Sequence, residues 1–169
     1  MRLRHLILSA GLAALAATGA QAQVMKFKNP AGASPSPILQ GAEIKAGTDI
    51  FYLSGQLASP LPASASKKPS EMTMDDFGDM KTQTISVLTK IKKALEEHGY
   101  TLNDVVKSLV IMAPGKDGKL DFAGMNEGWK MFFNTAETPS TTARSAFQAG
   151  ALAGPNYLVE IEVIAAKKK

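Results

Sequence analysis

The clearest hydrophobic pattern in this chain lies between residues 75 and 98. Apolar residues and one threonine recur there at spacings of three and four, at Phe77, Met80, Thr84, Leu88, Ile91 and Leu95. This is the period of one helix face. Aspartates lie at the start of the segment and lysines lie in its later turns, which is the charge distribution that the helix dipole favours. Gly99 follows the segment, and glycine is common directly after the end of a helix. The pattern predicts an amphipathic helix over 75–98 that packs on a flat surface.

The β-prone runs are shorter and are bounded by Gly, Pro or polar residues. They predict strands over 42–45, 49–55, 105–112, 143–149 and 158–166. A second helix is predicted over 121–134, with an aromatic stripe formed by Phe122, Met125, Trp129, Phe132 and Phe133. The order strand, strand, helix, strand, helix, strand, strand predicts an α+β domain, in which two helices cover one face of a mostly antiparallel sheet.

The last predicted strand is apolar on both of its faces. Residues 158–164 read L-V-E-I-E-V-I, and only Glu160 and Glu162 interrupt the apolar run. The chain that follows residue 22 is too short for a third layer of structure, so the second sheet face needs another cover. The sequence therefore predicts a subunit interface at this strand.

The first 22 residues differ from the rest. Arg2 and Arg4 precede an uncharged run over residues 6–18, and Ala20-Gln21-Ala22 follows. A positive start, a short apolar run and a small-x-small site predict a cleavable secretory signal peptide over 1–22. The run is too short to span a membrane, which takes about 20 apolar residues, and the chain has no Cys for a lipid anchor. We expect a periplasmic or secreted protein without membrane association after cleavage.

Two regions are predicted for the mature chain. Residues 23–40 are rich in Pro, Gly, Ser and Ala, which predicts a flexible arm without regular structure. Residues 41–169 are predicted to form a single domain.

Composition excludes several kinds of site. The chain has no Cys, and His98 is the only histidine after residue 22, so neither thiol catalysis nor a metal site is predicted. Nucleotide-binding motifs are absent, and no cofactor is expected. Loss of Arg2 and Arg4 lowers the net charge from +4 to +2, and three lysines lie in the tail 167–169. The sequence contains no basic patch within the folded region that would indicate a nucleic-acid partner.

Arg144 is the single arginine after residue 22, beside 16 lysines. A guanidinium gives a planar, bidentate fork that suits a carboxylate or a phosphate. The alternative is a structural arginine that bridges carboxylates or caps carbonyls. The sequence leaves both interpretations open.

Glu160 and Glu162 lie two residues apart on a predicted strand, so their side chains point to the same face. A carboxylate in apolar surroundings can act as a general acid or base near neutral pH. The alternative is an ion pair with a lysine at the sheet edge. That alternative is favoured for Glu162, and both interpretations stay open for Glu160.

Six segments, in this order, resemble the Rid family, also called YjgF. They are Y-L-S-G-Q at 52–56, Q-T at 83–84, D-V-V-K at 104–107, F-A-G-M-N at 122–126, A-R-S at 143–145 and L-V-E-I-E-V-I-A at 158–165. The resemblance implies a chorismate-mutase-like α+β fold and a homotrimer, with sheets facing inward and sites in the clefts between subunits. Its best-known members hydrolyse 2-imino or 2-enamine acids to 2-oxo acids and ammonia without a cofactor.

The resemblance also assigns residues. Arg144 matches the arginine that clamps the substrate carboxylate, and Glu160 matches the glutamate that positions or activates water. Further positions implied at the cleft are Ser54, Asn126, Ser145, Ala146 and Ile38. Ile38 stands where many imine-hydrolysing members carry a tyrosine. The leading hypothesis is hydrolytic deamination of an imino or enamino acid, or of a related small carboxylate. The alternative is a non-catalytic binder of small carboxylates, such as 2-oxo acids, in the periplasm.

Overall fold

A computed structural model describes residues 23–30 and 36–168 of the chain. The predicted signal peptide lies outside these residues. The elements, in chain order, are β1 (Val24–Phe27), β2 (Gly41–Ile44), β3 (Thr48–Leu57), α1 (Met80–Glu97), β4 (Val105–Met112), α2 (Phe122–Trp129), β5 (Ala143–Gln148) and β6 (Val159–Lys168). The predicted α+β class is confirmed.

The main sheet has four strands in the order β3-β6-β4-β5. The last strand, β6, lies in the centre and pairs antiparallel with both β3 and β4, whereas β4 and β5 are parallel. The sheet is therefore mostly antiparallel, as predicted. Because β5 has a neighbour on one side only, it is an edge strand, and residues on it are reachable from outside the sheet.

A second, two-stranded sheet joins β1 to β2. These strands are antiparallel, with Val24 opposite Ile44 and Phe27 opposite Gly41. The prediction that residues 23–40 lack regular structure is wrong for β1. The segment V-M-K-F is β-prone, and its partner strand supplies the hydrogen bonds that the local pattern did not reveal.

The core lies between the helices and the inner face of the main sheet. From α1 it receives Val87, Leu88, Ile91 and Leu95, each with 0% exposure. The predicted stripe is thus confirmed, but α1 begins at Met80 rather than near residue 75. Gly78 has a φ of +82°, a left-handed conformation that ends the preceding turn, and Asp79 caps the helix by accepting from the backbone N–H of Thr82 at 2.8 Å.

The second helix packs closely on the first. Gly128 faces Thr84, and a Cβ atom at position 128 would lie 2.8 Å from the Cβ of Thr84. The α2 helix ends at Trp129 and not at residue 134, because the following turns tighten and Asn134 takes a φ of +58°. The predicted aromatic stripe still contributes to the core, through Trp129 and Phe133 at 1% exposure.

Gln83 connects α1 to the segment before β6. Its side chain is fully buried and makes three hydrogen bonds to the backbone. Nε2 donates to the carbonyls of Gly78 and Asn156 at 3.1 Å each, and Oε1 accepts from the N–H of Leu158 at 2.9 Å. Because Leu158 directly precedes β6, this amide fixes where that strand begins.

The long polar segment between β3 and α1 is folded around Asp76, which is 5% exposed. Its carboxylate accepts from Ser64 Oγ at 2.6 Å, from Lys67 Nζ at 2.5 Å and from the N–H of Thr73 at 2.8 Å. These bonds hold the pKa of Asp76 well below its usual range, with Lys67 the largest cause. One buried carboxylate therefore joins Ser64, Lys67 and Thr73 of this segment.

The C-terminal end of β6 returns to the end of α1. Lys167 Nζ donates to the carbonyl of Gly99 at 2.5 Å and lies 4.6 Å from the ring centroid of Tyr100. This ammonium group satisfies a carbonyl just beyond the helix, where a positive charge is favourable.

The outer face of the main sheet, opposite the helices, is open in the single chain. Large apolar or aromatic side chains are exposed there, with Ile50 at 42%, Tyr52 at 71% and Phe147 at 49%. The described part of its own chain covers the second face of β6 only in part, because Ala166 is buried there whereas Ile164 is half-buried and Glu162 is exposed. The uncovered part agrees with the reason for predicting an interface. Among the described helices, none combines the length and apolarity that a membrane crossing requires.

Candidate functional site

Arg144 projects from edge strand β5 toward α2. Its guanidinium carbon lies 4.6 Å from the centroid of the Trp129 ring, which is a cation–π distance. Nη2 donates to Asn126 Oδ1 at 2.7 Å, and Nη1 donates to Met125 Sδ at 3.6 Å. One helix therefore supplies the stacking surface and both acceptors that fix this side chain.

Within residues 23–30 and 36–168, the charge of Arg144 has no acidic partner. No Asp or Glu of the described residues lies within 4.0 Å of its guanidinium. Burial lowers the pKa of Arg144 to about 10, because removal of water penalises the charged form. Over the described part of the chain, the geometry does not match a structural arginine that bridges carboxylates or caps carbonyls.

Glu160 lies on β6, opposite Leu57 of β3 and Ile111 of β4. Its half-buried side chain crosses the backbone of Gly55, where any Cβ atom would overlap the carboxylate. The β3–β6 register shifts between Leu53 and Gln56, so Ser54 and Gly55 form a bulge beside the glutamate. Ser54 is exposed there. Glu160 and Ser54 therefore lie in one region.

Arg144 and Glu160 are on opposite faces of the sheet. Arg144 is paired with Ser108, which shares its face with Val110 two residues later. Val110 is paired with Ile161 and both are fully buried beneath the helices, so Glu160, one residue away, points outward. A single chain brings Arg144 together with Asn126 but not with Glu160.

The other three predicted positions lie in different places, and Ser145 lines a cavity of the outer face together with Ser54. Ser145 is on the outer face, where its Oγ accepts from Lys107 Nζ at 2.8 Å, and Ala146 packs against the core. Ile38 lines a cavity of about 520 Å³ together with Thr141 and other residues, but Arg144 is not part of this lining. The sequence-predicted set is therefore distributed over at least two surfaces of one chain.

Two contributors were missed in the sequence. The sequence predicts a strand that ends at Gly55, although a glycine inside a β-prone run is also a signal for close approach by another group. Trp129 belongs to the predicted aromatic stripe and is buried, and its ring also contacts the guanidinium of Arg144. No group of three or more His, Cys, Asp or Glu side chains is arranged to hold a metal ion in residues 23–30 and 36–168.

The fold is an α+β domain in which two helices cover one face of a mostly antiparallel sheet, with Arg144 on an edge strand. The family model described as Endoribonuclease L-PSP matches residues 34–167. The chain belongs to this family, which is also the Rid, YjgF or RutC family. The family predicted from the sequence is therefore confirmed.

Similar proteins agree with this assignment. A RutC family protein of Pyrococcus horikoshii is 39% identical over 136 residues, which cover 80% of this chain and 93% of the relative. A Rid family protein of unknown function from Yersinia pestis has a similar structure, with a TM-score of 0.63 and 23% identity over 86% of this chain and 99% of its own. Escherichia coli TdcF, solved with bound serine, gives a TM-score of 0.53 and 25% identity over 85% and 94%.

Proposed function

We propose that this protein hydrolyses 2-imino or 2-enamino acids to 2-oxo acids and ammonia. The observation that carries the proposal is the half-buried guanidinium of Arg144, which has no acidic partner among the described residues. A substrate carboxylate would supply the missing charge in a charge-assisted pair. The serine bound to TdcF, a relative at 25% identity, is also a small carboxylate.

The proposed reaction needs three actions from the protein. Arg144 holds the carboxylate, so that C2 of the imine has a fixed position. Glu160 accepts a proton from a water molecule as the water oxygen bonds to C2 of the protonated imine, giving a tetrahedral carbinolamine. The carboxyl group then donates this proton to nitrogen. As the C–N bond breaks and ammonia leaves, the hydroxyl proton passes back to the Glu160 carboxylate and the C2 carbonyl forms. Water and imine are consumed and no electrons are gained or lost.

The opposite orientations of Arg144 and Glu160 support a site formed between chains. We propose a homotrimer in which the edge strand of one subunit meets the outer sheet face of its neighbour. The exposed apolar side chains of that face, including Tyr52 and Phe147, would then be covered. Arg144 of one subunit and Glu160 of the next would face the same substrate.

An assay on freshly generated 2-iminopropanoate tests the activity. We expect wild-type protein to release pyruvate faster than buffer, and Arg144→Ala and Glu160→Gln each to lose about 10²-fold or more of that rate. Lys130→Ala, a change at an exposed cation, is the matched control for loss of a positive charge. A wild-type rate equal to buffer would remove the hydrolase proposal for this substrate.

The second candidate is a non-catalytic binder of small carboxylates. It uses the same Arg144 and Asn126 pair, and the replacement of the usual tyrosine by Ile38 favours it. Binding of pyruvate that requires Arg144, without imine hydrolysis, would support this candidate. In both cases we propose that the signal peptide directs the protein to the periplasm or outside the cell.

A further inference from the structure

The partner of Arg144 is chemically unusual. A half-buried charge is usually paired with an opposite charge, but among the described residues the hydrogen-bond partner of Arg144 Nη2 is the neutral amide of Asn126. The amide is itself oriented, because Asn126 Nδ2 donates to the carbonyl of Phe122 at 3.1 Å. This bond turns Oδ1 toward the guanidinium. An aspartate could accept from Arg144 but could not donate to Phe122.

The other contacts of Arg144 are neutral as well. The guanidinium carbon lies over the Trp129 ring, and Nη1 donates to the Met125 sulfur. All three partners come from α2, within five consecutive residues. They fix the direction of the side chain without supplying a negative charge.

We propose that Asn126 is a positioning residue whose neutrality reserves the charge of Arg144 for a small carboxylate ligand, with Trp129 holding the opposite surface. This inference rests on the proposed function of Arg144 as a carboxylate clamp. A carboxylate at position 126 would occupy the guanidinium permanently and compete with the ligand. The neutral amide of Asn126 therefore orients Arg144 and also leaves its charge available to an anionic ligand.

The structure also provides a readout that does not depend on turnover. Trp129 is the only tryptophan of the chain, and it is in contact with the guanidinium that would bind the ligand. Titration of the full mature protein with pyruvate should change its fluorescence, whereas pyruvamide, which lacks the carboxylate, should not. Calorimetric titration with pyruvate gives the affinity independently.

The decisive comparison is Asn126→Asp against Asn126→Ala. We expect Asn126→Asp to weaken pyruvate binding at least tenfold while its thermal midpoint stays equal to wild type or rises, because the new charge pairs with Arg144. Asn126→Ala loses orientation but keeps the charge free, so its affinity should fall less although its thermal midpoint falls. Gln148→Glu adds the same charge at an exposed site of β5 and should change affinity less than threefold.

Several results would overturn the inference. These are wild-type affinity in Asn126→Asp, an equal loss of affinity in Asn126→Asp and Asn126→Ala, or no pyruvate binding by wild type in calorimetry. If Asn126→Asp does not fold, the longer pair Asn126→Glu and Asn126→Gln repeats the comparison between charged and neutral side chains. Absence of imine hydrolysis with the expected binding pattern would reject the enzyme proposal and support this inference.

Discussion

The backbone of Gly55 lies directly beneath the carboxylate of Glu160, in a space that no other residue type leaves open. The contact crosses from β3 to the central strand β6 at a bulge in their pairing. Gly55 has no positive φ that would demand glycine, so its role is to make room for the glutamate.

This contact predicts a separation of activity from stability in Gly55→Ala. The added methyl group must displace the end of a flexible side chain rather than backbone, so the free energy of unfolding should change by less than about 1 kcal/mol. Displacement of Glu160 should lower the imine hydrolysis rate about 10²-fold. Rate measurements and urea unfolding of the same samples check this. Gly150→Ala, at a position with open space around it, should keep wild-type activity.

The proposed intersubunit site predicts complementation. Arg144→Ala and Glu160→Gln are each inactive alone, but a mixed trimer contains clefts that combine an intact arginine with an intact glutamate from the neighbour. Random one-to-one assembly should restore about a quarter of the wild-type rate. Co-expression or refolding of the two variants together, followed by the imine assay, measures it. If both groups act from the same chain, no activity will return.

Gln83→Leu should destabilise the fold strongly. Leucine has a similar volume, but the substitution removes the hydrogen-bond partners of two carbonyls and one N–H. The position has 0% exposure, so water cannot replace these partners. We expect a loss of about 2–5 kcal/mol in the free energy of unfolding, measured in urea. Gln40→Leu, at an exposed position, is the matched control and should change the value by about 0.5 kcal/mol or less.

The burial of Lys26 predicts that the free energy of unfolding rises at alkaline pH. Its Nζ donates to the carbonyl of Asn103 at 2.7 Å and to that of Thr141 at 3.4 Å. Burial nevertheless lowers the pKa of Lys26 from 10.5 to about 8, with Asp104 acting in the opposite direction. Above pH 8 the unfolded chain holds a proton that the folded chain has lost, so stability increases with pH up to 10.5.

The measurement is urea unfolding of wild type and Lys26→Met between pH 7.5 and pH 9.5. Wild type should gain up to about 1 kcal/mol over this interval relative to the variant, after allowance for solvent screening. Lys130→Met, at an exposed lysine, should follow wild type. Parallel curves for wild type and Lys26→Met would show that the lysine keeps its proton in the folded state.

Local patterns in the sequence predicted most of the fold. The stripe of α1 and the strand β4 follow directly from hydrophobic spacing, and both lie close to their predicted positions. The start of α1 was misplaced because Asp75, Asp76 and Asp79 all resemble helix caps, and only the backbone of Gly78 decides between them. Strand β1 was missed because its partner lies 14 or more residues later in the chain.

The candidate site was less predictable for a physical reason. The rarity of arginine identified Arg144 without any structure, and resemblance added Glu160. Their opposite orientations depend on the register of three strands, which no local pattern contains. The dual role of Trp129, buried in the core and stacked on Arg144, likewise depends on how α2 is placed against β5.

The bond from Lys167 to Gly99 connects two parts of the fold that are far apart along the chain. Lys167 is paired with Asp49 of β3, and its ammonium group donates to the carbonyl that follows α1. Separation of β6 from β3 at this end would therefore also remove the donor from that carbonyl. Fraying of the sheet end and fraying of the helix end are thus coupled through one side chain.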